Sequence, residues 1–207
     1  RQVRPLQRLL AASCQVSIRQ PVRHCAMLAC AGSRSAEMED TMSDDRWAYD
    51  EILVDVGGFF TTTHTFHTPA GTLAALRVSG GMAEGEYQAA DGRHVLIRRT
   101  GCLSRSYQLI DGDRVRGAAE PRGFFKQGYL IHFDGEELDL VPEGVFRQGW
   151  LLVDRSGITL LSIVPRSVFH RGARLVAEQP VEFPLAVFAY YLRTVIQQET
   201  AAVAASA

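Results

Sequence analysis

From Glu51 to Glu178 the chain sets apolar and polar residues in short alternating runs, cut by Gly, Pro and Asp. In Glu136–Val141, Leu138 and Leu140 fall on one side and Glu137 and Asp139 on the other. That period of two belongs to a strand with one buried and one wet face. Such runs, recurring at roughly 8 to 12 residues, predict successive antiparallel strands. They fall near 51–56, 59–67, 72–78, 85–89, 93–98, 105–110, 113–119, 128–133, 136–141, 149–153, 158–164 and 172–178, about twelve in all.

The clearest part repeats. Tyr107 opens YQLIDGDRV, Tyr129 opens YLIHFDGEEL and Trp150 opens WLLVDRSGITL, so an aromatic-led strand returns every 22 and then 21 residues. Asp111-Gly112 and Asp134-Gly135 offer the positive φ that tight hairpin turns demand. Between hairpins a second phrase returns: PRGFFKQG at Pro121, PEGVFRQG at Pro142 and PRSVFHRG at Pro165. In each, Pro ends a strand, a Phe (Phe125, Phe146 or Phe169) tucks under the connection, and Gly opens the next strand. The unit is a β-meander.

One segment breaks the pattern. From Phe183 to Ile196 nearly every residue is apolar and only Arg193 is charged. A helix here has no polar face, so it must be enclosed, and it is short of the roughly 20 residues that cross a bilayer. The expectation is a core helix over 183–198 and a disordered tail over 201–207. A closed sheet of twelve strands is too wide for its own side chains to fill, since eight are already just filled. A helix about 10 Å across is a suitable plug.

The hairpin repeat, its Arg/Phe/Gly connections and the terminal FPLAVFAYYLRTVIQQ resemble the tubby C-terminal-like superfamily over about residues 47 to 198. That superfamily includes the LURP-one-related proteins and the phospholipid scramblases, and an uncharacterised bacterial LURP-one-related type is the nearest description. The resemblance implies a twelve-stranded barrel threaded by the terminal helix, and a non-enzymatic domain. It also implies phosphoinositide binding, as in tubby proteins, or calcium-linked lipid movement, as claimed for scramblases. The Cys-rich and acidic calcium-binding runs of scramblases have no counterpart here, since residues 178–184 read EQPVEFP. The basic residues of the tubby lipid site match no particular positions.

Composition changes the picture mainly at the start. The 207 residues are 46% hydrophobic and 22% charged, with a net charge of −1, ordinary for one soluble domain. Residues 1–36 hold six Arg and no acid, leaving 16 basic against 23 acidic groups in the remainder. A mildly acidic domain disfavours nucleic acid as partner. Residues 1–41 show neither strand nor helix period and are expected to be a disordered leader. A short signal-peptide core, an Arg-rich transit peptide and translated upstream sequence are the three origins weighed. The missing initiating Met and 21 Arg against one Lys favour the last, with Met42 or Met38 as the start. The domain proper is then 42–200. Cys14, Cys25, Cys30 and Cys102 show no metal or disulfide spacing.

Candidate chemistry is sparse. His64 and His67 are three apart, so a strand puts them on opposite faces, one in the core wall and one in solvent, and no metal site is expected. His94 and His132 read as structural, and SGGMAEG from Ser79 as a flexible loop. Arg98 and Arg99 point opposite ways. Arg193 is expected to meet the helix dipole near a C-terminus. Up-and-down strands would gather Arg105, Arg122, Lys126, Arg147, Arg166, His170 and Arg171 at one barrel end. Asp111, Asp113, Asp134, Glu136 and Asp154 would gather at the other. A basic rim beside Phe124 and Phe125 suits an anionic phospholipid headgroup or an acidic protein partner. The reading is a cytoplasmic, non-enzymatic binding or scaffold domain without metal, cofactor or transmembrane span. The alternative is a small-ligand carrier or hydrolase, marked by a deep polar cavity holding His64 or His94 beside a carboxylate.

Overall fold

The computed structural model describes residues 50–58, 61–79, 84–101, 105–123, 128–144, 149–167 and 172–206. The leader expected over 1–41 lies outside them, as does Cys102. The strands are β1 (Glu51–Gly57), β2 (Thr62–Thr68), β3 (Gly71–Val78), β4 (Glu84–Ala89), β5 (His94–Thr100), β6 (Ser106–Asp111), β7 (Arg114–Pro121), β8 (Tyr129–Phe133), β9 (Glu136–Pro142), β10 (Trp150–Asp154), β11 (Thr159–Pro165) and β12 (Gly172–Ala177). Each pairs antiparallel with its neighbours in sequence, and β1 pairs with β12 to close the barrel. The helix α1 (Phe183–Ala205) follows.

Antiparallel succession fixes two ends. The turns after β2, β4, β6, β8 and β10 and the segment leading into α1 share one, here the turn end. The links after β1, β3, β5, β7, β9 and β11 share the other, the connection end. At Asp134-Gly135 both residues have positive φ, 44° and 91°, as a two-residue hairpin turn that follows the strand twist requires. The preceding hairpin turns one residue later than the Asp-Gly pair suggested. Asp111 is the last residue of β6 and Gly112, at φ 58°, is the first turn position.

Twelve strands about 4.8 Å apart and tilted by about 40° close at a backbone radius of about 12 Å. A helix of about 5 Å radius and one layer of lining side chains fill that distance. Ile52, Val54, Phe66, Leu76, Val95, Ile97, Leu109, Ile131, Leu140, Leu152, Leu161, Ile163 and Leu175 form the lining, all buried. Against them every residue of α1 from Pro184 to Arg193 is buried, whichever side of the helix it occupies. The fit leaves little slack. A Cβ on Gly85 would come within 2.8 Å of the Tyr191 ring, and one on Gly117 within 3.4 Å of Phe188.

The helix outlasts the apolar run. Its 23 residues span about 34 Å, whereas strands of 5 to 8 residues give a tilted wall of roughly 13 to 20 Å. Gln197, Gln198 and residues 200–206 are exposed beyond the connection end. The expected end at Gln198 marked only where burial stops. ETAAVAA continues the helix because Ala and Glu favour it without packing, so residues 201–205, expected to be disordered, are helical.

Candidate functional site

The predicted basic rim is occupied by ion pairs at every described member. Arg105, in the link between β5 and β6, meets Glu199 of α1 at 3.4 Å. Arg122, just after β7, meets Asp139 at 2.8 Å. Arg166, just after β11, is paired with Asp55 of β1. All three lie at the connection end, as the up-and-down reading predicts, but set around the rim rather than together. The remaining candidates, Lys126, Arg147, His170 and Arg171, with Phe124 and Phe125, lie outside the described residues.

The turn end is organised by Arg116 of β7, a residue that sequence reasoning passed over. Its guanidinium contacts Asp134 and Glu182 at 2.5 Å each and Asp111 at 3.8 Å, and lies 5.0 Å over the Phe133 ring. It is only 14% exposed. Burial works against its charge, yet the hydrogen bonds to Asp134 and Glu182 prevail and hold its pKa above the ordinary value. Glu182 is the residue from which α1 starts, and Ala186 N–H donates to its carbonyl at 3.1 Å. Arg116 therefore clamps the start of the plug to two hairpins. Asp154 acts locally: its carboxylate accepts from Ser156 O–H, Ser156 N–H and Ile158 N–H. Those bonds, the Ser156 hydroxyl foremost, draw its pKa down.

Inside the barrel, α1 presents two aromatic faces. On one, Phe183, Phe66, Tyr190 and His64 follow one another edge to face at 5.4 to 5.8 Å. On the other, Tyr191 meets Tyr107 at 5.6 Å, and Tyr107 meets Tyr129 at 6.1 Å. Tyr107, Tyr129 and Trp150 lead their strands at the connection end and are buried, so the aromatic repeat in the sequence is a belt lining that mouth. Burial raises the pKa of Tyr107, Tyr129 and Tyr191.

His64 is 2% exposed and Arg193 is 5% exposed. His64 Nδ1 is hydrogen-bonded to the Tyr190 hydroxyl at 2.8 Å. Burial, reinforced by the charge of Arg193, lowers the His64 pKa to about 4, and burial raises that of Tyr190 to about 12. Arg193 is not near a helix terminus as expected. It is the eleventh of 23 residues, about 18 Å of rise before the end, so the terminal carbonyls are out of reach of its charge. Burial lowers its pKa, with Tyr190 acting the other way.

The other histidines divide as the spacing predicts. His67 faces outward, 3.7 Å from Asp55 and 3.1 Å from the Thr72 hydroxyl. His94 and His132 are on the outer face beside Glu86 at 2.6 Å and Glu137 at 3.9 Å, partners that the β4–β5 and β8–β9 hairpins bring across from them. His64 has no carboxylate beside it among the described residues. Arg98 pairs outward with Glu84 at 3.1 Å, while Arg99 is half-buried and its charge acts on Tyr107 and Tyr191. Among the described residues no three of His, Cys, Asp and Glu are grouped as metal ligands. Nor is any described helix long and apolar enough to cross a membrane. The chain matches no protein family, no curated protein and no solved structure.

Proposed function

We propose that the domain is a cytoplasmic, non-enzymatic binding module of the tubby-like kind, docking its connection end against an anionic phospholipid surface. The closed barrel threaded by its terminal helix supports the tubby-like reading. One contrast carries the docking reading. The six links of the connection end contain Arg105, Arg122, Lys126, Arg147, Arg166 and Arg171 against a single acid, Glu143, and hold six of the ten phenylalanines. The links of the turn end contain Asp91, Asp113, Asp134, Glu178 and Glu182 against Arg93 and Arg155, with no Phe.

Basic residues beside aromatic ones suit an interface where charge meets headgroups and rings reach the acyl boundary. Adjacent links are two strands apart, about 10 Å, so the four links that follow β5, β7, β9 and β11 span an arc of about 30 Å. That spread suits a surface better than a single small ligand. Each basic residue near an anionic surface is worth about 1 kcal/mol, and three give roughly a hundredfold preference.

Co-sedimentation with phosphatidylserine vesicles, phosphoinositide vesicles and neutral vesicles tests it, at low and physiological salt. Binding to the anionic vesicles should weaken with salt and be lost in Lys126→Glu/Arg147→Glu/Arg171→Glu. No binding to any vesicle at low salt would sink the proposal, and binding to polyglutamate alone would transfer the rim to an acidic protein partner.

A further inference from the structure

Arg193 keeps its proton at any ordinary pH, so once buried it needs an anion or an acceptor rather than a change of state. Among the described residues it makes no ion pair, and its Nε is buried without a hydrogen-bond partner. The segments of the connection-end links that lie outside the described residues contain no Asp or Glu.

His64 supplies a second buried nitrogen in the same state: Nδ1 is taken by Tyr190, and Nε2 has no partner. With the Tyr190 hydroxyl donating to Nδ1, the imidazole carries its proton on Nε2 and becomes a donor. The neighbouring Thr194 hydroxyl is already committed to the Tyr190 carbonyl at 3.0 Å. Both groups lie toward the connection end. His64 is the third residue of β2, which starts there, and Glu199, less than two turns beyond Arg193, reaches the rim at Arg105.

The charge and geometry select the ligand. One fixed cation with neutral donors balances a monoanion, whereas a dianion would leave surplus negative charge in a low-dielectric interior. A guanidinium presents parallel N–H groups from Nε and Nη, the fork that matches the two oxygens of a carboxylate. We propose that His64, Tyr190 and Arg193 form an internal receptor for a single carboxylate group reached from the connection end. The Nε edge of Arg193 holds both oxygens, His64 Nε2–H donates to one of them, and Tyr190 fixes the imidazole orientation. The carboxylate belongs either to a small free acid or to the end of an acyl chain. The receptor is independent of rim docking, and the probes below contain no membrane.

Thermal unfolding of the full chain in formate, acetate, octanoate and inorganic phosphate, each against sodium chloride at matched ionic strength, tests this. At ten times Kd a carboxylate should raise Tm by about 3 to 6 °C. Formate and acetate acting without octanoate identify a small acid, and octanoate acting at the lowest concentration identifies an acyl chain. Arg193→Met should unfold no lower than wild type in chloride, having lost a buried charge, and should lose the carboxylate response. The 15N resonance of His64 Nε2 in wild type gives a readout independent of any variant and should shift with saturable formate or octanoate. No saturable effect of any carboxylate on Tm or on that resonance overturns the proposal. So does a phosphate response equal to or larger than the carboxylate response, or an undiminished response in Arg193→Met.

Discussion

The two ends of the barrel use the same residue types for different ends. At the turn end Arg116 gathers three carboxylates from two hairpins and the helix start, nearly out of solvent. At the connection end Arg105, Arg122 and Arg166 each take one carboxylate while 36 to 61% exposed. Clustered, desolvated pairs fix a structure, because removing one partner strands the others. Isolated exposed pairs contribute little and exchange partners readily. The turn end is built as an anchor for the plug, and the described arginines of the connection end are held only by single, more exposed pairs.

The largest effect should come from the barrel's middle, which both ends depend on. Phe188 is fully buried and lies against Gly117. Phe188→Ala should cost about 3 to 5 kcal/mol, read by denaturant unfolding, and truncation before Phe183 should abolish folding. A loss below about 1 kcal/mol for Phe188→Ala would mean that the plug is not what supports the wall, and the contrast between the ends would lose its basis.

His64 makes a second, end-specific difference. Its pKa in the fold, about 4, is below the ordinary 6.5, so the unfolded chain binds the proton first. Its contribution is complete above pH 6.5 and declines as pH falls toward 4, by roughly 3 kcal/mol across that window. Urea midpoints between pH 7 and 4.5 should fall in wild type and flatten in His64→Leu. Equal slopes in the two proteins would show that the imidazole is not held neutral by burial.

The fold was readable because it rests on local pattern. The strand period, the Asp-Gly turns and the single all-apolar run each act within a few residues, and together they dictate an up-and-down barrel with a plug. Charges were misread where partners come from far along the chain. Arg105 and Glu199 are 94 positions apart and Arg166 and Asp55 are 111 apart, so a rim counted as basic from its links is partly neutralised by strands and helix. The apolar run ends soon after Arg193, which on sequence alone puts that charge near a helix terminus. The helix continues on propensity alone, and that leaves the charge in mid-helix. The spacing of His64 and His67 puts one in the core wall and one in solvent without saying which; the buried one is His64, and nothing in TTTHTFHT shows Tyr190 beside it.

The third difference compares the anchor with the rim directly. Arg116→Ala leaves Asp111 and Glu182 without their cation in a partly buried setting, and Asp134 with only the exposed Arg114 at 3.0 Å. It should cost about 2 kcal/mol and lower Tm by roughly 4 to 8 °C for a domain of this size. Since Glu182 starts α1, hydrogen exchange of the helix's first turns should quicken as well.

The smallest effect should come from the rim. Arg166→Ala removes one exposed pair, with Asp55 57% exposed, and such pairs are worth about 0 to 1 kcal/mol, less with salt. Its Tm should stay within about 2 °C of wild type, and the difference should shrink further when salt is raised from low to physiological strength. Arg122 is the stricter test, because Asp139 is only 21% exposed and one of its oxygens is buried without a hydrogen bond among the described residues. Losing Arg122 would leave that carboxylate poorly solvated, so Arg122→Ala should cost more than Arg166→Ala but less than Arg116→Ala. If Arg166→Ala proved as damaging as Arg116→Ala, the rim would be structural scaffolding too, and its arginines could not be released to a membrane without loosening the barrel.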